Sequence, residues 1–271
     1  MPELPEVETT RRGIEPHIIR QKINTVHIRN HRLRWPVPVH LPNTVQSQTV
    51  NQVLRRGKYL ILTLQTGSII IHLGMSGSLH ITTAQQPADK HDHIDFCFEN
   101  EKILRLHDPR KFGCVLWTAH PVEQHRLLRH LGPEPLSDAL TADYLYRLSR
   151  KRKVTIKAFI MNSHNVVGIG NIYANEALFK AGINPKRQAG NISLQAYQRL
   201  LKAIQQILST AIKQGGTTLR DFTAEDGRPG YFAQQLKVYG KTDASCPNCG
   251  QRIKHITQQQ RSTFYCTTCQ K

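Results

Sequence analysis

The chain opens Met1-Pro2-Glu3-Leu4-Pro5-Glu6-Val7-Glu8. A small second residue such as proline permits removal of the initiator methionine, which makes Pro2 a free secondary amine. An α-amino group titrates near about 7.7–8.0, so a useful fraction is neutral at cellular pH. A neutral amine beside a carboxylic acid can attack an electrophilic carbon and form an iminium, the Schiff-base logic usually associated with lysine. The same residues admit a plain structural reading. Proline suits the first helical position, and acids in a first turn, Glu6 among them, complement the helix dipole.

The cysteines carry a second chemistry. Four of the six form Cys246-x2-Cys249 and, sixteen residues on, Cys266-x2-Cys269. Each pair spans a tight turn that aims two thiolates at one point, and two such knuckles complete a tetrahedral sulfur site suited to one structural Zn2+. Disulfides fit less well, since nothing places the chain in an oxidising compartment. Cys97 and Cys114 lie in apolar strand-like runs and read as core residues. A third feature, Gly168-x-Gly170 before Asn171, puts two glycines at a helix start, where unpaired amides can hold an anion. A short G-x-G is also met in tight interhelical turns. It is no dinucleotide fingerprint, because a helix rather than a strand precedes it.

The elements that position these groups change character along the 271 residues. A helix is expected over 5–15, ended by Pro16. Strands follow at 23–28, 49–55, 58–64, 68–73, 92–98, 102–106 and 112–118. Ile94, Phe96 and Phe98 alternate onto one face, and 59–64 and 69–73 are apolar enough to be buried on both. Seven short strands with little helix between them predict a sandwich of antiparallel sheets. Beyond Pro121 the pattern turns helical, over 122–131, 141–150, 153–162, 171–181 and 193–213. Ser193 caps the last helix and Gly215-Gly216 stops it. Residues 221–232 are rich in turn formers, and 237–271 suit a short β-hairpin around the cysteines. The whole reads as α+β, in three parts: 1–120, 121–236 and 237–271.

Lys and Arg number 37 against 19 Asp and Glu, a formal charge of +18. That excess points to a polyanionic partner, because clustered cations release counterions when they neutralise phosphates. No apolar run of about 18 residues exists and the N-terminus lacks a signal-peptide core, so a soluble, intracellular protein without a membrane partner is expected.

The whole chain resembles the bacterial formamidopyrimidine-DNA glycosylases, which remove 8-oxoguanine and ring-opened purines from DNA. The resemblance rests on PELPEVE at 2–8, RRGKYL at 55–60, HLGMSG at 72–77 and DPRKFG at 108–113. It continues through GIGNIYANEALF at 168–179, GGTTLRDF at 215–222 and QRSTFYC at 260–266. It implies an N-terminal antiparallel β-sandwich with flanking helices, a helical domain with a helix–two-turn–helix element, and a C-terminal zinc-ribbon β-hairpin, with DNA between the first two. It implies that the Pro2 amine attacks C1′ of the damaged nucleotide, that Glu3 acts as acid, and that β- and δ-elimination then cut the strand at the abasic site. Lys58 corresponds to the family's second active-site lysine, and Glu6 supports the site. Lys157, Asn171, Arg261 and His91 correspond to DNA contacts. Met75, Arg110 and Phe112 correspond to the group that fills the space left by the flipped nucleotide. The loop at 218–232 corresponds to a cap over the flipped base. Taken singly, Met75 and Phe112 also suit a core, Arg261 a solvated surface and Lys157 a solvated basic run. The resemblance further implies double-stranded DNA carrying oxidised purines or abasic sites as partner, a monomer, and a cytoplasmic, nucleoid-associated place in a bacterium.

Two rival readings are open. The related endonuclease VIII shares the Pro-Glu start but prefers oxidised pyrimidines. Leu4-Pro5, the Met75/Arg110/Phe112 set and the long 218–232 loop favour the purine enzyme. A zinc-ribbon nucleic-acid binder without catalysis would satisfy the charge and the cysteines but has no need of an N-terminal amine.

Overall fold

A computed structural model describes residues 1–217 and 232–271. Chain contacts divide it into two compact units: Met1–His130 with Gly215–Tyr231, and Leu131–Gln214 with Phe232–Lys271. The fold is α+β, with antiparallel sheets in the first unit, and helices and a cysteine-rich hairpin in the second.

The first unit begins with helix α1 (Leu4–Ile18). Pro16, expected to end this helix, lies inside it. In the last turn its missing N–H forfeits only one intrahelical bond. The Ile19 amide still reaches the Glu15 carbonyl at 3.0 Å, and the fully buried Ile14 and Ile18 hold the end in the core. Two four-stranded sheets follow. One has the order β1 (Ile23–Ile28), β6 (Asp92–Phe98), β7 (Lys102–His107), β5 (Ser78–Thr83). The other has the order β2 (Gln52–Arg56), β3 (Tyr59–Thr63), β4 (Ser68–His72), β8 (Cys114–Thr118). All neighbours run antiparallel. One core takes Leu60, Leu62, Ile69, Ile71 and Val115 from the second sheet, Ile94, Phe96, Leu104 and Leu106 from the first, and Val7, Ile14 and Ile18 from α1. The expected sandwich is therefore present.

The structure departs from the sequence reading at three further places in this part of the chain. Strand β5 has no counterpart among the expected strands: it is an edge strand with only Leu79 and Ile81 as apolar residues, too weak a signal to stand out. The short helix α2 (Leu41–Val45) has none either. The helix expected over 122–131 is only a 3-10 turn at Val122–Gln124. Within 122–130 only Leu128 is buried, so no apolar face offsets the cost of helix nucleation.

The second unit holds α3 (Ala142–Ser149), α4 (Ile156–Met161), α5 (Asn171–Ala181) and α6 (Leu194–Lys213). Thr141, Thr155 and Ser193 cap three of them by accepting a backbone amide three residues on. Nearly every side chain of α5 is buried, which makes it the central helix, and Gly182 closes it at φ +70. The hairpin β9 (Lys254–Gln258) and β10 (Arg261–Tyr265) packs a small core of Phe179, Val238, Ile253 and Phe264. Among the described residues no helix is long and apolar enough to cross a membrane.

Candidate active site, nucleic-acid interface and metal centre

Pro2 and Glu3 are buried at the start of α1, and Glu3, 3% exposed, is its extended N-cap residue. Met1 precedes Pro2 in the full chain, so the Pro2 nitrogen is an amide until Met1 is removed. Glu6 is 2% exposed. Its Oε2 accepts the Glu3 amide at 2.8 Å, and its Oε1 accepts both the Thr217 amide at 2.8 Å and the Thr217 hydroxyl at 2.9 Å. Gly216 allows this approach: its φ is +79, and a Cβ there would lie 2.8 Å from Glu6 Oε1. Glu6 thus ties the N-terminal turn to the 215–217 segment. A buried carboxylate is tolerable because donors surround it.

Glu8 anchors the same helix to the sheet. It takes ion pairs from Arg11 at 3.1 Å, Arg12 at 2.8 Å and, from β2, Arg55 at 3.0 Å. Burial alone would raise the Glu8 carboxyl, but bonds from Arg11 and Arg12 and the charges of Arg11 and Arg55 hold it below its ordinary value. Strand β2 then turns into β3 through Gly57-Lys58, with Arg56 opposite Tyr59. Gly57, at φ +57, takes the first central position, as a two-residue type II′ hairpin requires. Lys58 follows it, half-buried. The helix that carries Pro2 and Glu3 is therefore fastened to the strand whose turn carries Lys58. Burial, with Lys58 and Arg34 adding, pushes the His72 imidazole down to about 4. Neutral His72 accepts the Gly74 amide at Nδ1, 2.9 Å away.

Met75 lies in the β4–β5 turn, and Arg110 and Phe112 in the β7–β8 turn. The turns touch through Gly74: at φ +67, its Cβ would sit 2.5 Å from the Phe112 carbonyl carbon. Fully buried Asp108 holds the second turn from below, its Oδ2 accepting the Gly113 amide at 2.8 Å. Phe112 is 41% exposed, with the Arg110 guanidinium 4.9 Å over its ring, and Met75 is half-buried. These are not the positions of core residues. His91 is tied to the base of the same turn, its carbonyl accepting the Asp108 amide at 2.9 Å. Its ring stands edge-on to His93 and His107.

In the second unit Asn171 is the first residue of α5, after Gly170 as N-cap and Gly168 at φ +81. Arg261 is exposed at the start of β10, beyond a two-residue turn in which Gln259 and Gln260 have φ 46 and 58. Lys157, expected as a DNA contact, lies within the second unit. It is 2% exposed, and its ammonium donates to the Ser262 carbonyl and the Thr263 hydroxyl, each at 2.7 Å. A side chain of α4 that the sequence places in the basic run 150–157 braces β10. Two buried residues of α5 are absent from the expected site. Asn175 links α5 to β10, and Glu176 accepts the Lys237, Val238 and Tyr239 amides at 2.8–2.9 Å. Their only signal is polarity within an otherwise apolar helix. The cap expected at 218–232 lies, but for Phe232, outside the described residues. Phe232 is buried 5.7 Å from the Tyr173 ring.

The Sγ atoms of Cys246, Cys249, Cys266 and Cys269 all lie within 4.8 Å of one another, with 3.8 Å between Cys246 and Cys269 and 3.5 Å between Cys249 and Cys266. A tetrahedral Zn2+ with bonds of about 2.3 Å sets sulfurs about 3.8 Å apart, so the four fit one ion. Behind them the Gln270 side chain accepts the Cys266 amide at 2.9 Å and donates to the Ile183 carbonyl at 2.9 Å, joining the knuckle to the end of α5.

Three family models match in order along the chain: the formamidopyrimidine-DNA glycosylase N-terminal domain over 1–115, its H2TH domain over 131–223, and the zinc finger found in FPG and IleRS over 246–271. A formamidopyrimidine-DNA glycosylase of Thioalkalivibrio sulfidiphilus is 55% identical over 271 residues, all of both chains. A complex between a variant of Lactococcus lactis FPG and a Fapy-dG containing DNA superposes with a TM-score of 0.93 at 34% identity, covering 100% of both chains. A complex of Lactococcus lactis Fpg with abasic-site DNA gives 0.92 at 34%, covering 99% of each.

Proposed function

The chain belongs to the formamidopyrimidine-DNA glycosylase family, and from that premise we propose how its residues act on DNA. It is a DNA glycosylase for oxidised purines, with one structural Zn2+ held by its four clustered cysteines. The observation that carries the mechanism is the buried Pro2-Glu3 pair, held by Glu6 on one side and through Glu8 and Arg55 to the Lys58 hairpin on the other.

With Met1 removed, neutral Pro2 attacks C1′ of the damaged nucleoside. The bond from C1′ to the base breaks and the Pro2 nitrogen gives up its proton; the C1′–O4′ bond then opens as the nitrogen lone pair forms a double bond to C1′, Glu3 delivering the proton that the departing base or opening sugar requires. The product is an iminium between Pro2 and C1′. Loss of a C2′ proton expels the 3′ phosphate by β-elimination, and δ-elimination expels the 5′ phosphate. Lys58 supplies a cation beside this chemistry. Extruding the nucleotide costs a few kcal/mol of stacking and pairing. Met75 and Phe112 fill the gap, and Arg110, lying over Phe112, faces the orphaned base. Asn171 and Arg261 grip flanking phosphates, and His91 adds a contact. The partner is double-stranded DNA with oxidised purines or abasic sites, bound by a monomer in the bacterial cytoplasm at the nucleoid.

The test is lesion choice. Matured protein given matched duplexes with 8-oxoguanine or an oxidised pyrimidine should excise the purine faster. The reverse preference would favour the endonuclease VIII reading.

A further inference from the structure

We propose that Asn175 is a positioning residue that fixes Arg261 and Asn171 relative to each other and so sets the phosphate grip of the second unit. The inference rests on the reading that Arg261 and Asn171 hold phosphates. Asn175 is 1% exposed, one helical turn beyond Asn171. Its amide nitrogen donates to the Asn171 carbonyl at 2.6 Å, and its Oδ1 accepts the Phe264 amide of β10 at 2.8 Å. A single side chain thus touches the residue that opens α5 and the strand that opens with Arg261.

The hairpin geometry explains why an amide is needed. Arg261 pairs with Gln258 across a two-residue turn, so Ser262 and Phe264 fall at the non-hydrogen-bonded positions of β10. Their main-chain groups face away from β9 and need partners elsewhere. Lys157 takes the Ser262 carbonyl and Asn175 takes the Phe264 N–H. Lysine only donates, whereas Asn175 must accept from β10 while donating to α5, which an asparagine side chain can do. Together the two side chains peg β10 at successive outward positions, directly after Arg261. A guanidinium gripping a phosphate in its planar fork depends on where its backbone is held. Releasing the peg leaves Arg261 present but misplaced.

The experiment is a double-mutant cycle on binding to a duplex with a tetrahydrofuran abasic analogue, read as affinity against salt. Losing one phosphate contact lowers the slope of log K against log salt by about one. Arg261→Ala should do so in the wild-type background. Asn175→Ala should lower the slope by a similar amount, and adding Arg261→Ala to it should change little more. Equal effects of Arg261→Ala in both backgrounds would overturn the proposal, since a merely structural joint leaves the Arg261 contribution intact. If Arg261→Ala alone changes neither affinity nor slope, the phosphate reading of Arg261 fails and takes the proposal with it. Should Asn175→Ala lose zinc or cooperative unfolding, Lys157→Met, which releases the neighbouring peg, replaces it in the cycle. A smaller Arg261→Ala effect in that background supports the proposal, and an equal effect overturns it.

Discussion

Glu3 and Glu6 are buried carboxylates within one turn of helix, and their surroundings assign them different work. Glu6 is filled by the Glu3 amide and by both donors of Thr217, so its task is to hold the backbone around Pro2. Glu3 stands next to Pro2, the proposed nucleophile. Glu3→Gln should bind lesion DNA with near wild-type affinity yet lose about 10²–10⁴-fold in single-turnover excision, the range for removing a general acid. Glu6→Gln turns one acceptor into a donor facing a donor and should cost about 1–3 kcal/mol, measured by thermal unfolding. His72 gives a pH prediction. Burial lowers its folded value from 6.5 to about 4, so between those values the unfolded chain binds the extra proton. Stability should therefore fall as pH drops from about 6.5 towards 4 and be untouched above that window. His80, His93 and His125, also lowered by burial, act in the same sense. His72→Asn should flatten part of this acid-side slope in unfolding titrations; an unchanged slope would remove His72 from the account.

At the scale of elements, the two touching turns carry the proposed wedge. Phe112→Ala and Met75→Ala should slow excision from duplex DNA but spare cleavage at a preformed abasic site, where no damaged base remains to be excised. Equal losses on both substrates would remove these residues from the wedge. Gly74→Ala should damage excision without removing any wedge side chain. At φ +67, and with Phe112 backbone 2.5 Å from the new Cβ, it must part the turns and should cost more than about 1 kcal/mol. Cys249→Ser should release zinc and abolish DNA binding while the sandwich of the first unit stays folded, checked by metal analysis and circular dichroism. These elements differ in how clearly the sequence announces them. The apolar strands β3 and β4, the long amphipathic α6 and the cysteine knuckles are legible because one periodicity or spacing dominates each. Strand β5 is not, because its partner β7 supplies the order that its own residues lack. Residues 122–131 have helical composition but only one buried side chain, and Pro16 is overruled by the burial of Ile18. The roles of Lys157 and Asn175 are illegible for one reason: a polar side chain's partner in a distant strand leaves no local pattern.

For the whole molecule, the net charge of +18 implies an affinity for DNA that drops steeply with salt, whatever the lesion. Charge alone fits a passive binder equally well, so the claim that separates this protein from one is covalent chemistry at its first residue. Pro2 is nucleophilic only after Met1 is gone and only while neutral, so activity should fall as pH drops below the amine's pKa. The decisive measurement is borohydride trapping on lesion DNA, comparing matured protein with a form carrying an N-terminal extension. The mechanism predicts a covalent adduct at Pro2 with the first and none with the second. Lys58 is the other amine available. If the extended form still traps, and trapping vanishes only on Lys58→Ala, then Pro2 merely starts a helix and the mechanism is contradicted.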